Sequence, residues 1–181
     1  MQMILLAMVA ATSLFAAPDG QAVSSEPLAT PARVDHPPLK PGLWTLAAPD
    51  CRFNLRNSLS RWPGCAAPLQ IGETALSHPG PDSPGEARRY RYAPGDPGIL
   101  QVETGLAGAR AWSHFGFRPM AVDADGFIIR ARIWPAPCPA AGCRVRSLSA
   151  VVAAARRAEA SAFSGAETDA GRTAVWARRS R

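Results

Sequence analysis

The sequence predicts a mainly β fold, an up-and-down antiparallel barrel or strongly curved sheet with one C-terminal helix. Three observations carry this. Several short runs alternate apolar and polar residues with period two, as half-buried strands must, because successive side chains leave opposite faces of a sheet. Turn formers separate these runs: 18 prolines and 15 glycines in 181 residues favour short strands over long helices. Helical spacing is found in one late stretch, Ser147–Phe163. A chain of this length suits a single β-rich domain, placed at residues 41–181, with tails.

The first residues read as a targeting segment over 1–22. From Met3 to Ala17 apolar and small residues run unbroken. The run is short for a membrane span of roughly twenty residues and right for the apolar region of a secretory signal peptide. No Lys or Arg precedes it, so its positive charge is the terminal amine alone. Cleavage fits after Ala17 or after Ala22, and no cysteine lies near either for a lipid anchor. The protein is therefore read as exported, periplasmic or secreted, and not membrane-spanning. From Pro18 to Lys40 the chain has no periodicity. Residues 23–40 read as a flexible, Pro-rich linker, or as a strand-poor N-terminal arm.

The domain opens at Pro41-Gly42-Leu43-Trp44, where Leu43, Thr45 and Ala47 alternate with Trp44, Leu46 and Ala48. A second short strand is expected over Cys51–Arg56, with Phe53 and Leu55 on the cysteine's face. Ser58–Trp62 then makes one helical turn, ended by Pro63-Gly64. Leu69–Leu76 reads as a third strand before a proline-rich surface loop, His78–Glu86. Arg88–Tyr92 and Ile99–Thr104 form a hairpin that places Tyr90 and Tyr92 on one face and Arg89 and Arg91 on the other. Cross-strand pairing of those arginines with Glu103 is expected, an exposed pair contributing under about 1 kcal/mol.

The longest hairpin runs from Ala109 to Trp134 and turns at Asp125-Gly126, where glycine takes the positive φ that a tight turn demands. On its return leg Phe127, Ile129, Ala131 and Ile133 point one way, and Ile128, Arg130, Arg132 and Trp134 the other. In the helix Leu148, Val151, Val152, Ala155, Ala158 and Ala162 make one apolar stripe, with Gly165 as the stop. Arg172–Arg178 reads as a closing strand.

Cys51, Cys65, Cys138 and Cys143 are an even set, which suits an oxidising compartment. Of the three connectivities, the local one closes two short loops, Cys51–Cys65 and Cys138–Cys143. In the loop-entropy account these stabilise by about 3 and 2 kcal/mol. Neither spacing makes the paired knuckle of a structural zinc site. His36, His78 and His114 are scattered, so no metal or other cofactor is called for. The formal charge of +6 comes almost wholly from arginine, with Lys40 the sole lysine. No recognition motif accompanies it, and nucleic acid is not an expected partner.

Catalysis finds no constellation. Ser113-His114 are neighbours on a strand and face opposite ways, and no G-x-S-x-G elbow exists. Asp123-x-Asp125-Gly126 begins like a calcium loop, but Trp134 holds the place of the bidentate glutamate, so a turn is expected. The tryptophans say more. Trp44, Trp112 and Trp134 read as core packing or as the wall of a ligand cavity. Arg130, Arg132 and Trp134 share a face that would hold an anionic head, with a solvated outer face as the plainer reading.

The layout resembles a lipocalin. Gly42-Leu43-Trp44 matches that family's G-x-W opening, Ser147–Phe163 its late helix, and Arg172–Arg178 the strand after the helix. The family's T-D-Y loop motif is absent. The resemblance covers Pro41 to the C-terminus and implies an up-and-down barrel, with Arg144 or Arg146 packed over Trp44. It also implies binding of a small apolar or amphipathic ligand without catalysis. The sequence reading is thus an exported small-ligand binding protein, with Arg130, Arg132, Trp134, Trp112 and Trp44 as candidate site. The alternative is a non-catalytic structural or interaction protein of the cell envelope with a filled core. Oligomeric state is left open.

Overall fold

The computed structural model describes residues 20–29, 39–48, 51–80, 83–106, 109–138, 143–164 and 171–178. The apolar run ending at Ala17, residues 30–38 and the expected helix stop Gly165 lie outside them. The chain forms β1 (Val23–Ser24), β2 (Gly42–Ala47), β3 (Ala66–Ile71), β4 (Ala75–Ser77), β5 (Arg88–Ala93), β6 (Gly98–Leu106), β7 (Ala109–Val122), β8 (Ile128–Pro135), α1 (Leu148–Ala162) and β9 (Arg172–Arg178). Strands β2 to β9 each pair antiparallel with their neighbours, and β9 lies between β8 and β2. The result is a closed eight-stranded antiparallel barrel with one helix. Closure leaves no open sheet edge around the ring.

Alternation explains the interior. Trp44 and Leu46 of β2, Leu69 and Ile71 of β3, Leu76, Tyr92, Leu100, Val102, Phe115, Phe117, Ile133 and Ala174 form one apolar cluster. Every barrel strand contributes to it. On β8 the phase departs from strict alternation: Ile128 joins Ala131 and Ile133 in the core, while Ile129 is half-buried and Arg130 exposed. The cause is a shift of the β7–β8 register near Ala121, which moves a side chain to the other face. At the hairpin turn Gly126 has φ 84°, and Asp123 Oδ1 accepts from the amides of Asp125 and Phe127. The aspartates here cap a turn.

Two expected strands are corrected. No strand forms over 51–56: residues 55–56 make a turn, closed by Asn57 N–H to the Asn54 carbonyl, with Phe53 tilted against Trp62 at 5.2 Å. Asn54 drives this, because its side chain accepts from the Arg56 amide and competes with a strand ladder. Leu69–Leu76 is two strands, β3 and β4, since Gly72 N–H turns back to the Ala75 carbonyl. The 3-10 turn at Leu59–Arg61, the β5–β6 hairpin, the helix and the last strand lie where the sequence puts them.

The two disulfides, Cys51–Cys65 and Cys138–Cys143, have the local connectivity. The second shapes the N-terminal segment. Residues 20–29, partly within the stretch read as a linker, pack against the outside of the barrel. Ala22 N–H donates to the Ala136 carbonyl, Val23 N–H to Cys143, Cys138 N–H to Gly20, and Val145 N–H to Val23. On the other side β1 pairs with β7 at Trp112 and Ser113, beyond the end of β8. The segment thus fills a slot between the edge of β7 and the Cys138–Cys143 disulfide. So short an insertion carries no period, which is why composition alone reads it as a tether.

The likeness to a lipocalin is borne out at the level of an antiparallel barrel with one late helix. The details differ. The last strand is itself a barrel strand, and Trp44 donates its indole N–H to the Lys40 carbonyl at 2.7 Å. Arg144 and Arg146 are exposed beside β1, where Val23 bridges to Arg144. Among the described residues no helix is long and apolar enough to cross a membrane.

Candidate functional site

The register of β5 to β8 sets the outer wall of the barrel in three rows. The first is Arg89, Glu103 and Trp112; the second is Arg91, Gln101 and His114; the third is Ala93, Ile99, Gly116 and Trp134. Residues 20–29 lie over the second row, and α1 lies over the third. A second apolar cluster seals that layer: Ala22, Ala29, Ala93, Ile99, Ala136, Val145, Val151 and Ala155.

The expected stripe on β8 is divided by this arrangement. Trp134 lies outside the barrel yet is 1% exposed, donating its indole N–H to the Ala155 carbonyl of α1 at 2.8 Å. Its ring meets Phe163 edge-on at 5.9 Å, and the Arg132 guanidinium lies 5.0 Å from the same phenyl ring. Arg132 and Trp134 therefore hold the helix end through Phe163. Arg130 is exposed. Arg118 stands directly opposite Arg132 across the β7–β8 pair, a like-charge contact that would repel. Glu159 of α1 and Asp96 both bind Arg118, and Glu159 holds its guanidinium pKa above the ordinary value.

The other two candidates lie elsewhere. Trp112 is buried on the outer wall, with the Arg89 and Arg91 guanidinium groups each 5.8 Å from its ring. Arg89 is bidentate to Glu103, at 2.7 and 2.8 Å, as the strand pattern anticipates. Trp44 is inside the barrel and fully buried. The five side chains Arg130, Arg132, Trp134, Trp112 and Trp44 are not gathered around one space: one is in the interior and four are on the wall.

What sequence reasoning missed is the second row. His114 is fully buried, and Ser113 faces the interior, where its hydroxyl meets Thr104 at 3.3 Å. The serine that reaches the imidazole is Ser24, whose Oγ is 3.0 Å from Nε2, while Gln101 Nε2 is 3.1 Å from Nδ1. This has the outline of a catalytic triad, and its hydrogen-bond directions exclude that use. Gln101 Oε1 accepts from the Ala29 amide at 2.9 Å, so the amide nitrogen of Gln101 must point at Nδ1 and donate. Nδ1 is therefore the acceptor and Nε2 carries the proton, which it gives to Ser24 Oγ. The Ser24 hydroxyl in turn donates to the Glu26 carbonyl. A general base needs the opposite tautomer and access to solvent. Burial pushes the His114 pKa down to about 4, keeping the ring neutral.

The alternation of Leu100 and Val102 with Gln101 and Glu103 places Gln101 on an outer face. Its pairing with His114 follows once the β6–β7 register is known. Ser24, far from His114 in the chain, leaves no such signal. Among the described residues no group of three His, Cys, Asp or Glu side chains is placed to hold a metal ion. Compared with protein families, curated proteins and solved structures, the chain matches none.

Proposed function

We propose that this is a non-catalytic interaction protein of the cell envelope, exported, with a barrel that serves as a filled scaffold. The observation that carries the reading is the continuous apolar cluster to which all eight barrel strands contribute. An eight-stranded barrel is just wide enough for side chains to fill, or for one small ligand. Here Trp44, Phe115, Phe117 and Tyr92 lie in that volume, with Tyr92 edge-on to Phe117 at 5.1 Å. Trp112 and Trp134, the other candidate cavity walls, are turned outward.

The rival reading is a binder of an apolar or anionic amphiphile. Titration with a lysophospholipid, followed by tryptophan emission, separates them. A filled barrel gives no saturable change for wild type or for Arg130→Ala with Arg132→Ala. Saturable binding at one ligand per chain, weakened in the double variant, would overturn the scaffold reading in favour of the amphiphile.

Export enters the same proposal, because two disulfides suit an oxidising compartment. Cleavage after Ala22 would remove Gln21 and Ala22, both buried, and put a charged amine where the Val23 amide meets Cys143. Processing that keeps Gly20–Ser24, as after Ala17, preserves the slot. Intact mass of the exported protein is expected to include these residues. A mature chain beginning at Val23 would contradict it.

A further inference from the structure

We propose that residues 25–29 are a pH-sensitive strap: neutral His114 holds them on the barrel wall, and protonation of His114 releases them while the barrel stays closed. The two halves of the N-terminal segment are held differently. Residues 20–23 are zipped by backbone hydrogen bonds to Ala136, Cys138, Cys143 and Val145. Val23 and Ser24 are also paired with Ser113 and Trp112 in the β1–β7 ladder, and from the Ser24 side chain onward the polar contacts to the wall run through side chains. Ser24 Oγ meets His114, the Ala29 amide meets Gln101, and the Ala29 carbonyl accepts from Arg91 at 2.9 Å.

Those contacts form one circuit with a single allowed direction. A proton added at Nδ1 faces the amide NH2 of Gln101, donor against donor. Turning the Gln101 amide to offer its oxygen would present NH2 to the Ala29 N–H instead. One of the two contacts must be lost, and the anchor of the strap is the one on the outside.

Among the described residues, no free anionic group meets the new charge. From the N-terminal segment, Gln21 and Ser24 are neutral, and Glu26 is exposed and meets Ser24 through its backbone carbonyl. On β5, Arg91 is cationic and opposes protonation. On β6, Glu103 is one row away and already bound by Arg89 and Arg110. The same-face neighbours on β7 are Trp112 and Gly116, and the residues on either side of the Cys138–Cys143 disulfide contribute Ala136 and the exposed Arg144.

With the strap closed the imidazole has a pKa of about 4, against 6.5 for a solvated histidine. The proton therefore prefers the open form. The closed form keeps its full advantage above pH 6.5 and loses it as pH falls towards 4. Between well above pH 6.5 and well below pH 4 the ratio of closed to open falls by a factor approaching about 300.

The test follows the Ala29 amide and the His114 ring by NMR from neutral to acidic pH, with Val102 and Phe117 amides reporting on the barrel. Wild type is expected to lose exchange protection at Ala29 in step with His114 titration, while Val102 and Phe117 stay protected. His114→Gln should show no such transition. In Gln101→Ala, which lacks the anchor, His114 should titrate closer to the ordinary histidine value. Three results would overturn the proposal: Ala29 protection unchanged through the titration of His114, loss of Ala29 and Val102 together, or the same transition in His114→Gln.

Discussion

Replacing Trp44 with alanine is expected to lower the stability of the fold by about 3–5 kcal/mol, the cost of emptying a large core position. Trp44 is fully buried inside the barrel, opposite Leu69 on β3 and Trp176 on β9. It closes the seam where the first and last barrel strands meet. Its indole N–H also binds the Lys40 carbonyl, and Lys40 N–H binds the Ile128 carbonyl, a chain of contacts that seats Leu39 in the core. The alanine variant loses both the volume and this tie. His78→Ala is the control, a half-buried ring whose Nδ1 meets the Pro68 carbonyl. The denaturant midpoint of Trp44→Ala should fall well below that of His78→Ala. Coincident midpoints would mean that the seam does not depend on the indole.

The second large effect is at the helix dock. Trp134→Ala removes the indole that binds the Ala155 carbonyl and meets Phe163, and it too should cost about 3–5 kcal/mol. Gly116 shows how closely the ring is seated. A Cβ there would lie 2.2 Å from Trp134 Cε2, a distance that forces the indole to move. Gly116→Ala is therefore expected to cost about 1–3 kcal/mol through overpacking. Each loss depends on the other residue, so the pair should be strongly non-additive. In a Trp134→Ala background, Gly116→Ala should be nearly neutral. Chemical denaturation of the four proteins in this cycle reads the coupling directly, and simple additivity would show that the ring can relax elsewhere.

The strand pattern, the helix and the disulfides were legible because each rests on local physics. Period-two alternation and Asp125-Gly126 specify the long hairpin, and the Leu148–Ala162 spacing specifies a helix with one apolar side. Four cysteines at short separations favour local closure. The candidate site was not legible in this way. Arg130, Arg132 and Trp134 do share strand parity, but parity cannot say that α1 covers one end of the stripe. That depended on Gly116, which leaves room for the indole beneath the helix. Ile128 was misplaced because a register shift between two strands has no signature in either strand alone. The N-terminal segment was read as a tether because Gly20–Val23 is held by backbone hydrogen bonds to Ala136, Cys138, Cys143 and Val145, and backbone groups are the same in every residue. The His114 circuit needs Gln101 from a neighbouring strand and Ser24 from the far end of the chain. Local periodicity determined the elements, and long-range hydrogen bonding, which follows only after closure, decided which polar side chains face one another.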